Sequence, residues 1–219
     1  MTFAQLKSAV SYILDDLNFG YFTETQVGLW LNNAQKRVQK RLIKAGQNDY
    51  VRCLQTTLVV NQNDYVLPED FKDVNRLEVV ISGVSPNESV CQLTPITVNQ
   101  QNFVLTGAGT PRWYFLKKNR LVVLPAPDTA LTMRLLETYE VTDMTLDADT
   151  PDVPESYQEY MTLLAAEQGF IKDGRENALL VKKIKEIEAE IDSDAAERTV
   201  DAPRSVVETG NSLDSGFLW

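Results

Sequence analysis

The sequence predicts an α+β protein: a helical bundle of about four helices, a small antiparallel β-rich insert between the second and third, and an extended C-terminal tail. Three observations predict it. Apolar residues recur at helical spacing near both ends of the chain. They recur at strand spacing, bounded by proline and turn residues, in the middle. After Ala196 they recur at no spacing at all.

The first helix places Phe3, Leu6, Val10, Ile13 and Leu17 on one face, and Asn18 to Gly20 ends the pattern. Thr2 with Gln5 fits a capping box, in which each end of the pair satisfies a backbone N–H of the first turn. Thr23 with Gln26 repeats the box and starts a second helix. Its apolar face is Val27, Trp30, Leu31, Ala34, Val38, Leu42 and Ala45, closing at Gly46. Residues 1–49 form an N-terminal helix pair on this reading.

Residues 50–141 read as the insert. Val51 to Val60 is a strand, followed by turn chemistry at Asn61-Gln-Asn-Asp64. Tyr65 to Leu67 is extended because Pro68 restricts the residue before it. Pro68 to Phe71 suggests a single helical turn, with the proline first and Glu69 and Asp70 behind it. Leu77 to Ser82 is a strand, Pro86 to Ser89 a turn, and Leu93 to Leu105 is ambiguous between strand and short helix. Trp113–Leu116 and Leu121–Leu124 flank Lys117-Lys-Asn-Arg120 as a hairpin, and Leu131 to Val141 is a further strand.

Thr142 to Asp152 is an acidic loop, and Pro154 stands at a helix start. Tyr157, Tyr160, Met161, Leu164 and Ala165 share one face until Asp173-Gly174 breaks the helix. The last helix carries Leu180, Ile184, Ile187 and Ile191 as a seam among lysines and glutamates. Residues 142–196 thus form a second helix pair completing the bundle. Residues 197–219 form a polar, partner-binding tail that finishes in Phe217-Leu218-Trp219.

Composition narrows the function. The chain has 219 residues, 43% of them hydrophobic, enough for a core. No run of about 18 apolar residues predicts a membrane span, and the N-terminus lacks a secretory leader, so a cytosolic origin is expected. A net charge of −10 argues against tight electrostatic binding of nucleic acid. Cys53 and Cys91 lie far apart without neighbouring ligands and read as ordinary thiols. Histidine is absent, which removes the commonest general base and metal ligand. Neither a catalytic residue nor a cofactor or metal site is expected, and an enzyme is not.

Four features invite a functional reading. Asp143, Asp147, Asp149, Asp152 and Glu155 could hold a cation but lack the register of a calcium loop, so a solvated acidic loop is favoured. Lys36, Arg37, Lys40, Arg41 and Lys44 form a basic face on the second helix: a DNA contact, a dock for an acidic protein, or a solvated face. Gly107-Ala-Gly109 lacks a following helix and reads as a turn. Phe217, Leu218 and Trp219 would gain by burial in a partner, worth a few kcal/mol at roughly 25 cal/mol per Å²; the plainer reading, that they fold back on their own domain, is the less favoured.

An ordered series of short motifs carries a family resemblance. Phe22-Thr-Glu-Thr25, Leu31-Asn-Asn-Ala-Gln-Lys-Arg37, Tyr65-Val-Leu-Pro-Glu-Asp-Phe71 and Arg76-Leu-Glu-Val79 come first. Gly109-Thr-Pro-Arg-Trp-Tyr114, Leu124-Pro-Ala-Pro-Asp128 and the late helix pair follow. Together, over roughly residues 2–195, they resemble the head-to-tail adaptor (connector) proteins of tailed bacteriophages. The resemblance implies a structural protein of the virion neck, assembled in the host cytoplasm. It implies a homo-oligomeric ring of about twelve copies beneath the portal protein, closed by a heterologous interface. Such a ring extends the DNA channel and docks a tail nozzle or tail completion protein. It also implies that Phe217, Leu218 and Trp219 anchor in the portal. Asp143, Asp147, Asp149 and Asp152 become candidates for a channel-facing loop that lets genomic DNA slide without sequence-specific binding. The competing expectation is a DNA-binding or regulatory protein acting through the basic second helix. A carboxylate-based hydrolase is a distant third, with no supporting acid pair.

Overall fold

A computed structural model describes residues 1–83, 88–97, 99 and 107–201. Four α-helices lie among them: α1 (Phe3–Ile13), α2 (Glu24–Lys44), α3 (Gln158–Lys172) and α4 (Ala178–Asp201). Both capping boxes form. The Thr2 and Thr23 hydroxyls accept from the N–H groups of Gln5 and Gln26, and the glutamine side chains reach back to the cap N–H. α1 stops at Ile13, and Leu17 is exposed rather than on the buried face. The carboxylate of Asp16 turns the chain between the helices by accepting from the N–H groups of Gly20, Tyr21 and Phe22. Helices α1, α2 and α3 pack around Leu6, Val10, Leu31, Val38, Met161 and Leu164. α3 approaches α1 closely at Gly169, where a Cβ would stand 2.7 Å from both Leu14 methyl carbons.

Between the helix pairs run β1 (Val51–Thr57), β2 (Asp64–Val66), β3 (Phe71–Ser82), β4 (Ser89–Gln92), β5 (Thr94–Pro95), β6 (Trp113–Leu116), β7 (Arg120–Leu124) and β8 (Thr132–Tyr139). They form two four-stranded sheets, β1-β8-β3-β4 and β2-β7-β6-β5. A second hydrophobic core, built on Leu58, Leu67, Leu77, Val79, Leu121, Val123, Met133 and Leu135, belongs to these strands.

The expectation of a helical bundle with a small antiparallel insert is therefore corrected. The molecule is an α+β fold with a β-rich core of its own, and β5 pairs with β6 in parallel. Period-2 patterning reveals strands one at a time but carries no information about pairing. β1 finds β8 more than 80 residues away, Arg52 opposite Glu137, and β3 lines the other side of β8. Locally, β1 ends at Thr57 instead of reaching Val60. Pro68 to Phe71 is a turn closed by the Phe71 N–H on the Pro68 carbonyl at 3.2 Å, so no helical turn forms there. The ambiguous segment 93–105 opens as β5, and residues 98 and 100–106 lie outside the described residues. The hairpin β6–β7 has the predicted position, with Lys118 at φ 55° in its turn.

Candidate functional site

The helical core joins the sheets through two connections, the short one from α2 to β1 and the loop from Glu140 to Pro154, and α2 holds the second. Three amide side chains, Asn32, Gln35 and Gln39, sit three and four residues apart and so share a helix face. Asn32 donates to the Met144 carbonyl and accepts from the Met144 N–H, each at 3.0 Å. Gln35 donates to the Thr142 carbonyl at 2.8 Å and accepts from the Asp152 N–H at 3.2 Å. Gln39 donates to the Tyr139 carbonyl at 2.6 Å and accepts from the Val141 N–H at 3.4 Å. Gln35 and Gln39 are fully buried, so these bonds satisfy side-chain amides that water cannot reach and tie the loop to α2.

The two charged clusters of the sequence meet at this loop. Lys36 pairs with Asp143 at 2.8 Å, and Lys7, itself buried, pairs with Asp147 at 2.6 Å and also with Glu24. Burial alone would lower the Lys7 pKa, yet the hydrogen bonds that it donates to Asp147 and Glu24 hold it above the usual value. Asp149 is spent on the loop itself, accepting at 2.8 Å from the N–H groups of Leu146 and Thr145. Those backbone donors hold its carboxyl below the usual range. Asp152 is exposed, and its contact raises the phenol of Tyr139, which burial already pushes up. Arg37 pairs with Glu167 at 3.0 Å and Arg41 with Asp192 at 2.6 Å, while Lys40 and Lys44 are exposed and form no ion pair among the described residues. The basic face thus binds the chain's own α3, α4 and acidic loop with three of its five cations. Among the described residues no group of acids, cysteines or histidines converges as a metal site.

Asp16 and Asp149 both lie below their ordinary pKa, Asp16 chiefly through the Phe22 N–H. The stability they contribute is complete above the unfolded carboxylate pKa of about 3.9 and is lost as pH falls through the lower folded values. The thermal midpoint is expected to stay flat from about pH 7 to 5 and to fall below about pH 4. Asp16→Asn with Asp149→Asn should flatten that acid limb relative to the parent; an identical slope in both proteins would contradict the assignment.

At the sheet end of the loop sits a second charged group, which no motif or spacing singles out. Arg52 on β1 forks onto Asp70 at 2.6 and 2.8 Å and donates to Glu137 on β8 at 2.7 and 2.9 Å. The Glu137 side chain is fully buried, and its Oε2 has no hydrogen-bond partner among the described residues. The Arg52 hydrogen bond is the main reason that Asp70 lies below its usual pKa.

An open groove lies elsewhere, between α3 and α4. Asp173 and Gly174 (φ 69°) end α3, and the Asn177 side chain caps α4 by accepting from the Leu180 N–H at 3.1 Å. The resulting groove, with a cavity volume of about 750 Å³, is lined by Phe170, Ile171, Leu180 and Val181 together with charged side chains such as Glu176 and Lys185. Ile171 is 63% exposed and the adjoining Leu179 79%. The β unit also leaves Val59, Val60 and Val66 exposed. The predicted anchors Phe217, Leu218 and Trp219 lie outside the described residues.

The amide ladder was findable, since Asn32, Gln35 and Gln39 recur at helical spacing. The groove was half findable, because Ile171 and Leu179 fall off the apolar faces assigned to their helices.

No described helix is long and apolar enough to cross a membrane. Over residues 1–207 the sequence matches the family model described as SU10 adaptor protein. No curated protein matches the chain.

Proposed function

From the fact that the chain belongs to the SU10 adaptor protein family, phage head-to-tail adaptors of the virion, we propose a structural role without catalysis. Copies of the chain close into a ring beneath the portal protein, extend the DNA channel, and present a platform to a tail nozzle or tail completion protein. The carrying observation is the family match over residues 1–207. The fold supplies what a ring needs. A ring interface is heterologous, so each subunit must offer two different surfaces. Exposed apolar side chains stand on both units, Leu29, Ile171 and Leu179 on the helices and Val59, Val60 and Val66 in the β unit.

Phe217, Leu218 and Trp219 are proposed as the portal anchors. Each anchor contact can be weak, because neighbours held on a ring raise the effective concentration of every tail. The chain's net charge of −10, repeated around the ring, repels phosphate and lets DNA pass without sticking. The DNA-binding alternative has less to draw on, since Lys36, Arg37 and Arg41 are already paired within the chain.

The test is electron cryomicroscopy of the protein mixed with its portal. A ring of density on the portal is expected. In the F217A/L218A/W219A variant, with an unchanged circular-dichroism spectrum, the ring should be lost. A variant that decorates the portal like the parent rules out the anchoring role, and a parent that never forms a ring rules out the whole reading.

A further inference from the structure

The α3–α4 groove is too apolar and too open to be left to water. A contiguous apolar patch on a soluble chain marks an interaction site. Small-molecule sites combine an apolar lining with a few convergent polar groups; here aliphatic and aromatic side chains share an open lining with charged ones. That chemistry suits a short peptide of large apolar side chains. We propose that in the unassembled chain the groove is occupied by the chain's own Phe217-Leu218-Trp219, folded back along α4.

Reach, charge and local concentration support this occupant. α4 ends at Asp201, and at 1.5 Å per residue Ala189 lies about 18 Å and Leu180 about 32 Å back along the helix. Fifteen residues, 202–216, separate the helix end from Phe217. A stretch of that length spans at most about 50 Å, so the groove falls within reach. Of the lining acids, Glu167 and Glu186 already pair with Arg37 and Lys182, and Glu176 has no counter-charge among the described residues. Lys185 forms no ion pair among the described residues. Residues 208–219 carry Glu208 and Asp214 and no base, so their approach places acids near Lys185. A tether of this length gives an effective concentration of roughly millimolar, so even a millimolar contact is half occupied.

The inference stands on the groove and the tether and does not depend on ring formation. Joined to the adaptor reading, it makes groove and portal compete for the same three side chains. Docking on the portal then uncovers the groove.

The test uses the full chain without portal, so its failure and that of the ring reading are separable. In a C53S/C91S background, K185C with L218C should oxidise to a disulfide at monomer mass. Its rate should be independent of protein concentration and roughly ten-fold above that of K183C with L218C, a position two residues away on α4 but outside the groove lining. Hydrogen exchange gives the second readout. Amides of residues 167–189 should exchange several-fold faster in F217A/L218A/W219A than in the parent, and those of β3 and β8 should not change. Equal oxidation rates for the two cysteine pairs, or unchanged exchange across 167–189, would overturn the proposal. A link found only at dimer mass would overturn it too, by making a second copy the occupant.

Discussion

Arg52→Met is expected to destabilise the protein by about 3–5 kcal/mol, the cost of removing one partner from a buried ion pair. The figure belongs near the lower end because Arg52 is 33% exposed while Glu137 is fully buried. The variant strands Glu137 among apolar neighbours with neither oxygen paired, and it frees Asp70 from the fork that fastens the turn after Pro68 to β1. Because the pair itself gains little over a well-packed apolar replacement, R52M/E137L should recover most of the loss. Urea unfolding of the parent, the two single variants and the double variant checks this. A loss under about 1 kcal/mol for R52M would show that the pair behaves as an exposed one.

Replacing both Gln35 and Gln39 with leucine should cost about 2–5 kcal/mol, since each removes the partner of one backbone carbonyl and one backbone N–H, at about 1–3 kcal/mol for a group then left without water. The two losses should not add, because both release one loop. Hydrogen exchange at Val141 and Asp152 reports the effect directly, because those N–H groups bond to the lost amides. Full protection at both amides in the double variant would mean that the loop holds without the ladder.

Local rules made the helices legible. Both capping boxes formed as written, and Leu180, Ile184 and Ile191 of the α4 seam are buried. Remote partnerships were not legible. Lys36, Arg37 and Arg41 read as a free basic face because Asp143, Glu167 and Asp192 lie over 100 residues downstream. Asp70 read as helix-start charge because its partner Arg52 is set by strand pairing, which periodicity does not encode. The same gap turned a β unit with its own core into a small insert. Of the candidate site, the charged clusters were visible as composition; their mutual neutralisation was not.

The division into two cores has a consequence for synthesis. The β core draws on residues 54–135, a contiguous stretch. The helical core takes Phe3 to Leu42 from one end of the chain and Tyr160 to Ile191 from the other. On the ribosome, α1 and α2 emerge first but must wait for α3, with the apolar face of Leu31, Val38 and Leu42 uncovered. The sheets can close meanwhile. Closing a loop of that length adds little free energy but slows the search for contacts, so the sheets should gain exchange protection before α1 and α2 during refolding. Until α3 arrives, the first helices to be made are the part of this protein most open to wrong partners.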